Sequence, residues 1–105
     1  MKVIALLGKS GTGKSHKALL VARDNRADLI IDDGLLIYAN RVVAGYSAKR
    51  EKTRLAAVRR AIFQDHTHAY EVKQKIKEIN PDNILVLGTS NDMINTICKA
   101  LDLPK

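Results

Sequence analysis

Three short apolar runs punctuate the chain, and the stretches between them repeat every three or four residues. Lys2-Val3-Ile4-Ala5-Leu6-Leu7 is the first run. Asp28-Leu29-Ile30-Ile31-Asp32-Asp33 is the second, and Asn83-Ile84-Leu85-Val86-Leu87-Gly88 the third. A continuous apolar run of this length reads as a strand buried on both faces. The intervening periodicity predicts helices over 15–23, about 53–65, about 69–79 and 91–101. Inward stripes are Leu55, Val58, Ile62 and Phe63, then Ala69, Val72, Ile76 and Ile79, then Met93, Ile94, Ile97 and Leu101. His66-Thr67-His68 lies where the second and third helical patterns meet. Asn80-Pro81-Asp82 stops the third helix, and Ser90 is placed to cap the fourth. Glu71 and Lys75 stand four apart and read as an outer-face pair. Leu35-Leu36-Ile37-Tyr38 and Arg41-Val42-Val43-Ala44 flank Ala39-Asn40 as a small hairpin or an extended excursion.

The order is therefore β-α-β-(ββ)-α-α-β-α. Parallel strands need long crossovers, so a chain of 105 residues has room for three or four core strands. The expected fold class is α/β: three α/β/α layers around a small, mostly parallel sheet, as one domain over 1–105. The brevity, and an end at 101–105 with no closing element, leave room for this to be the N-terminal part of a longer protein.

Between the first strand and the first helix lies Gly8-Lys9-Ser10-Gly11-Thr12-Gly13-Lys14-Ser15, which fits G-x-x-x-x-G-K-[ST] in full. Strand, glycine loop and helix together make a phosphate-binding loop. Glycines let the backbone curl so that successive N–H groups point at phosphate oxygens, and the helix N-terminus adds its own. Lys14 is expected at the β- and γ-phosphates and Ser15 on Mg²⁺. Phosphoryl transfer also asks for an acid near the metal, and in open α/β sheets such groups lie at the carboxyl ends of strands. Asp32 and Asp33 stand there, Asp32 as the better Mg²⁺ ligand and either one as a proton acceptor. The competing reading of Asp32-Asp33-Gly34 is a plain turn.

The loop and the apolar-apolar-apolar-Asp-Asp strand resemble the P-loop NTPase superfamily. Gly8 to Leu19 followed by Leu29-Ile30-Ile31-Asp32-Asp33 is similar to the core of HPr kinase/phosphorylase. That likeness implies nucleotide phosphates at Gly8 to Ser15, with Asp32 as proton acceptor and donor and Asp33 as its partner. It covers the first third of the chain; Lys9 stands where that family tends to have an acid. The loop also resembles that of the MinD/ParA ATPases, with Ser10 in place of their glycine. Ser47-Ala48-Lys49 matches the base loop of GTPases, but no Asn-Lys-x-Asp accompanies it, which favours adenine.

Charge adds a partner class. Eighteen Lys and Arg against eleven Asp and Glu leave +7, suited to a nucleotide or to nucleic acid. Lys49, Arg50, Lys52, Arg54, Arg59 and Arg60 cluster; they form a solvated face, supply an arginine to the γ-phosphate, or bind a nucleic-acid backbone. With only Phe63, Tyr38, Tyr46 and Tyr70 as aromatics, base stacking is disfavoured. Cys98 stands alone, which rules out a disulfide framework, and its spacing is that of a helix's inner face. His66 and His68 face different directions and read as a surface junction, not a metal pair. No apolar run approaches membrane length, and the protein is expected to be cytoplasmic, without a membrane partner. The expectation is an Mg-ATP-binding domain, an ATPase or a kinase with an acceptor or protein partner still to be named. A non-catalytic nucleotide-sensing module and a nucleic-acid-linked ATPase are the alternatives.

Overall fold

The computed structural model describes residues 1–9 and 14–104, the side chains of Lys14 and Ser15 excepted. Five strands form one sheet in the order β1-β5-β2-β3-β4: β1 (Lys2–Leu7), β2 (Leu29–Asp32), β3 (Leu35–Tyr38), β4 (Arg41–Gly45) and β5 (Asn83–Gly88). The helices are α1 (Lys14–Asp24), α2 (Arg54–Ala61), α3 (His66–Ile79) and α4 (Asn91–Ala100), with a 3₁₀ turn at Ala48–Arg50. The element order is the one the apolar pattern predicts.

The sheet is mixed, which corrects the expectation of a mostly parallel one. β1 and β2 both run parallel to β5, while β2–β3 and β3–β4 are antiparallel. Both antiparallel connections have only two residues, and both use positive φ at each: Asp33 (57°) with Gly34 (89°), and Ala39 (51°) with Asn40 (64°). Such turns match the right-handed twist of the strands they join, so the chain doubles back at once without a crossover. That hairpin raises the strand number to five. A register shift between Leu36 and Ile37 bulges the β3–β4 pair.

Side-chain alternation divides the core between the two sheet faces. Leu29, Ile31, Leu36, Ile84 and Val86 pack with Val72 and Ile76 of α3 and with Ile94, Ile97 and Cys98 of α4. Ile30, Leu85 and Leu87 pack with Ala18 and Ala22 of α1. Leu101 and Leu103 are buried in the first of these clusters, so the chain after α4 closes onto the core through these two side chains. β1 departs from the expected buried strand. It pairs only with β5, at the sheet edge, and Leu7 is 44% exposed. Composition could not distinguish an edge strand from a central one.

Local chemistry sets the ends of α3 and α4. Asp65 caps α3 by accepting the His68 N–H at 2.9 Å, so the His66-Thr67-His68 segment opens a new helix. Asn80, at φ 52°, closes α3 immediately before Pro81. Ser90 caps α4 through Met93 N–H at 3.1 Å, as its position predicts. α2 is shorter than expected. It stops at Ala61, and Phe63 turns out of the helix at φ 60° to become fully buried. Leu55 and Val58, expected inward, are more than half exposed. Lys75 pairs with Glu78 at 3.4 Å, while Glu71 accepts from the Gly45 N–H at 3.5 Å, so the expected Glu71–Lys75 pair does not form.

Candidate functional site

Because β1, β5 and β2 are parallel, their carboxyl ends lie along one edge of the sheet. Leu7 is opposite Gly88, and Ile31 is opposite Val86. The Gly8 N–H donates to the Gly88 carbonyl at 3.1 Å, so the chain leaves β1 still tied to β5. Lys14 opens α1 seven residues beyond Leu7. Ser10, Gly11, Thr12 and Gly13 lie outside the described residues, as do the side chains of Lys14 and Ser15. The described frame around them is a strand that delivers the loop to this edge and a helix that leaves from it.

The two aspartates separate. Alternation along β2 turns Asp32 to the same face as Ile30, the face α1 covers. It borders a cavity of about 250 Å³ together with Ala18 and Leu19 of α1. β1 and β2 flank β5, so their backbones are two strand spacings apart, about 10 Å. Asp33 belongs to the hairpin turn. Its carbonyl accepts the Ala48 N–H at 2.9 Å, and the residue borders a different cavity, between α2 and α4. The acid pair is therefore a strand end plus a turn, and the turn reading of Asp33 holds alongside any other role. Neither aspartate is without interactions.

Between the ends of β1 and β2 sits the end of β5. Gly88 is buried there, and a Cβ in its place would come within 2.8 Å of the Ile94 Cδ1. The Thr89 N–H and hydroxyl both donate to the Met93 sulfur, at 3.4 and 3.5 Å. That brings Thr89 to the same edge, held by α4.

The basic cluster resolves into two kinds of residue. Arg60 pairs with Glu51 at 2.8 Å, and Arg50 and Arg60 both lie over the Tyr46 ring at 4.9 and 4.7 Å. These two arginines hold the segment after β4 in place. Lys49, Lys52, Arg54 and Arg59 are exposed. Arg54 alone among the six borders the cavity that also holds Asp33 and Thr89.

His68 is the residue that sequence reading misjudged. It is 4% exposed and stacks on Phe63 with ring centroids 4.6 Å apart. Its Nε2 is 2.8 Å from the Gly34 carbonyl and 3.3 Å from the Tyr46 amide nitrogen. A carbonyl only accepts, so Nε2 carries the proton and donates to Gly34. Tyr46 N–H also reaches the Gly34 carbonyl, at 3.2 Å. Nδ1 is buried without a hydrogen-bond partner. Burial pushes the His68 pKa down, against the raising effect of the Gly34 contact; Arg60 lowers it further, and Asp65 and Glu71 raise it. Asp65 is held below the usual carboxylate range chiefly by the N–H of His68. The signal for burial was present in the spacing: His68, Val72 and Ile76 recur every four residues on one face of α3. His68 thus locks the Asp33-Gly34 turn to α3.

Among the described residues, no three His, Cys, Asp or Glu side chains gather into a metal cluster, and no helix is long and apolar enough to cross a membrane. Cys98 is buried, as its spacing predicts. No protein-family model, curated protein or solved structure matches this chain.

Proposed function

We propose that this mixed α/β domain binds Mg-ATP at the carboxyl edge of β1, β5 and β2, and hydrolyses it or transfers its γ-phosphoryl group. One observation carries the reading: a complete G-x-x-x-x-G-K-S sequence joins β1 to α1, and Asp32 ends β2 on the face that α1 covers. On this reading the domain is a P-loop NTPase-like α/β/α fold, with α1 on one sheet face and α3 and α4 on the other. Gly8 through Gly13 cradle the phosphates with backbone N–H groups, and Lys14 reaches the β- and γ-phosphates. Ser15 and Asp32 are the residues that would hold Mg²⁺. The donor set fits that ion: magnesium on a nucleotide uses one or two carboxylates plus phosphate oxygens, without an all-protein cage. When bound, it supplies charge neutralisation on the phosphates. Asp32 or Asp33 accepts the proton of the attacking hydroxyl.

Titration of a fluorescent ATP analogue with and without Mg²⁺ tests the proposal. Binding should be saturable, strengthened by Mg²⁺, and lost in Lys14→Ala. Unchanged binding by that variant sinks it. A second reading, a nucleotide sensor without turnover, draws support from Asp33. Its backbone is committed to a hairpin turn, which leaves Asp32 as the only one of the pair on the α1 face. Steady phosphate release that disappears in Asp32→Asn would exclude the sensor.

A further inference from the structure

A cavity of about 340 Å³ opens between α2 and α4, beside the Asp33-Gly34 turn. Its volume is within the range of small-molecule sites. Val58 of α2, Ile62 just after that helix and Met93 of α4 give it apolar walls, with Arg54, Asp33 and Thr89 as its polar residues. Val58 is 51% exposed and Leu55 beside it 60%, although both are large apolar side chains on a short helix. An apolar surface left open next to a cavity is what a bound ligand covers. Arg54 is exposed and, among the described residues, has no ion-pair partner, whereas Arg60 is paired with Glu51 and Arg50 is stacked on Tyr46. Lys52 and Arg59, both exposed, add positive charge to the same short segment.

We infer that this cavity is a binding site for a small amphipathic anion: an apolar ring or chain bearing one carboxylate or phosphate monoester. The apolar body lies against Val58, Ile62 and Met93. The anionic group pairs with the Arg54 guanidinium, whose planar fork suits either oxyanion. A hydroxyl on the ligand would face Asp33 and Thr89. A phosphodiester backbone fits less well, because it has no apolar body to fill the walls. None of the cavity's described lining residues belongs to the glycine loop, and its proposed occupant need not be a nucleotide.

The experiment uses the whole 105-residue chain and 8-anilinonaphthalene-1-sulfonate, an apolar ring system with one sulfonate. Fluorescence should saturate at one probe per chain. Hexyl phosphate should displace it, and hexylamine should not. Arg54→Gln, a change at an exposed position, should weaken the probe about tenfold, the scale of one lost charge-assisted hydrogen bond. Val58→Trp, which fills the cavity, should abolish saturable binding while near-ultraviolet circular dichroism stays native. Lys14→Ala should leave the titration unchanged, which keeps this test independent of the ATP proposal. Equal affinity in wild type and Arg54→Gln overturns the inference. So does loss of binding in Lys14→Ala, which would move the anion into the glycine loop. Displacement by a short DNA duplex but not by hexyl phosphate would make the basic face a nucleic-acid surface instead.

Discussion

Replacing His68 by phenylalanine separates two contributions that the buried imidazole makes in opposite directions. Phenylalanine keeps a ring against Phe63, so the stacked pair and most of the packing survive. The Nε2–H bond to the Gly34 carbonyl is lost, which costs about 0.5–1.5 kcal/mol. That carbonyl retains the Tyr46 N–H, so it is not left orphaned. The same substitution removes Nδ1, buried without a partner, and relieves a penalty of about 1–3 kcal/mol. Near pH 8 the two effects nearly cancel, and the variant should match wild type or exceed it by about 1 kcal/mol.

Acid breaks the balance. The folded His68 has its pKa lowered from 6.5, so below 6.5 the unfolded chain binds a proton more readily than the folded one. Stability is then greatest above pH 6.5 and falls as pH descends toward the folded value. Each tenfold difference in proton affinity removes about 1.4 kcal/mol. Asp65, whose pKa is also lowered, loses its contribution only below 3.8 and stays out of this window. Urea unfolding followed by circular dichroism between pH 8 and pH 5 gives the test. Wild-type stability should fall with acid more steeply than that of His68→Phe, and the gap should widen steadily below 6.5. Parallel profiles would refute the argument, because they would mean His68 titrates alike in folded and unfolded chains.

Other expectations follow from the same geometry. Gly34→Ala should destabilise by at least about 1–2 kcal/mol, because φ is +89° and the new Cβ would collide with the Tyr46 carbonyl; urea midpoints measure it. Ser90→Ala should cost about 1 kcal/mol through the lost cap of α4, and Ser90→Asp should restore it. If the Mg-ATP proposal holds, Asp32→Asn should remove most of the Mg²⁺ enhancement of nucleotide binding. Asp33→Asn should leave that enhancement largely intact, since Asp33 borders the α2–α4 cavity; comparable losses in both would argue against a division between the two acids.

The local patterns carried much of the architecture. Period-four stripes marked α3 and α4, and Asn80 and Ser90 marked the end of one and the start of the other, because these signals depend on neighbours a few residues apart; around Ala39-Asn40 the same signals left a hairpin and an extended excursion both open. The candidate phosphate loop and Asp32 were legible for the same reason: one is contiguous, and the other ends a strand. What the sequence could not set was which strands become neighbours. An apolar run looks alike at an edge and in the centre, so β1 at the border and the insertion of β5 between β1 and β2 came only from the assembled sheet. Long-range packing likewise exposed Leu55 and Val58, and it buried His68 against Gly34, 34 residues away. Tertiary structure also sent Asp32 and Asp33 to separate cavities, because the second acid falls on a left-handed turn where side-chain alternation ends. Spacing along the chain determined the elements and the proposed site's residues. Burial and strand order, which depend on contacts between distant residues, decided which of those residues meet.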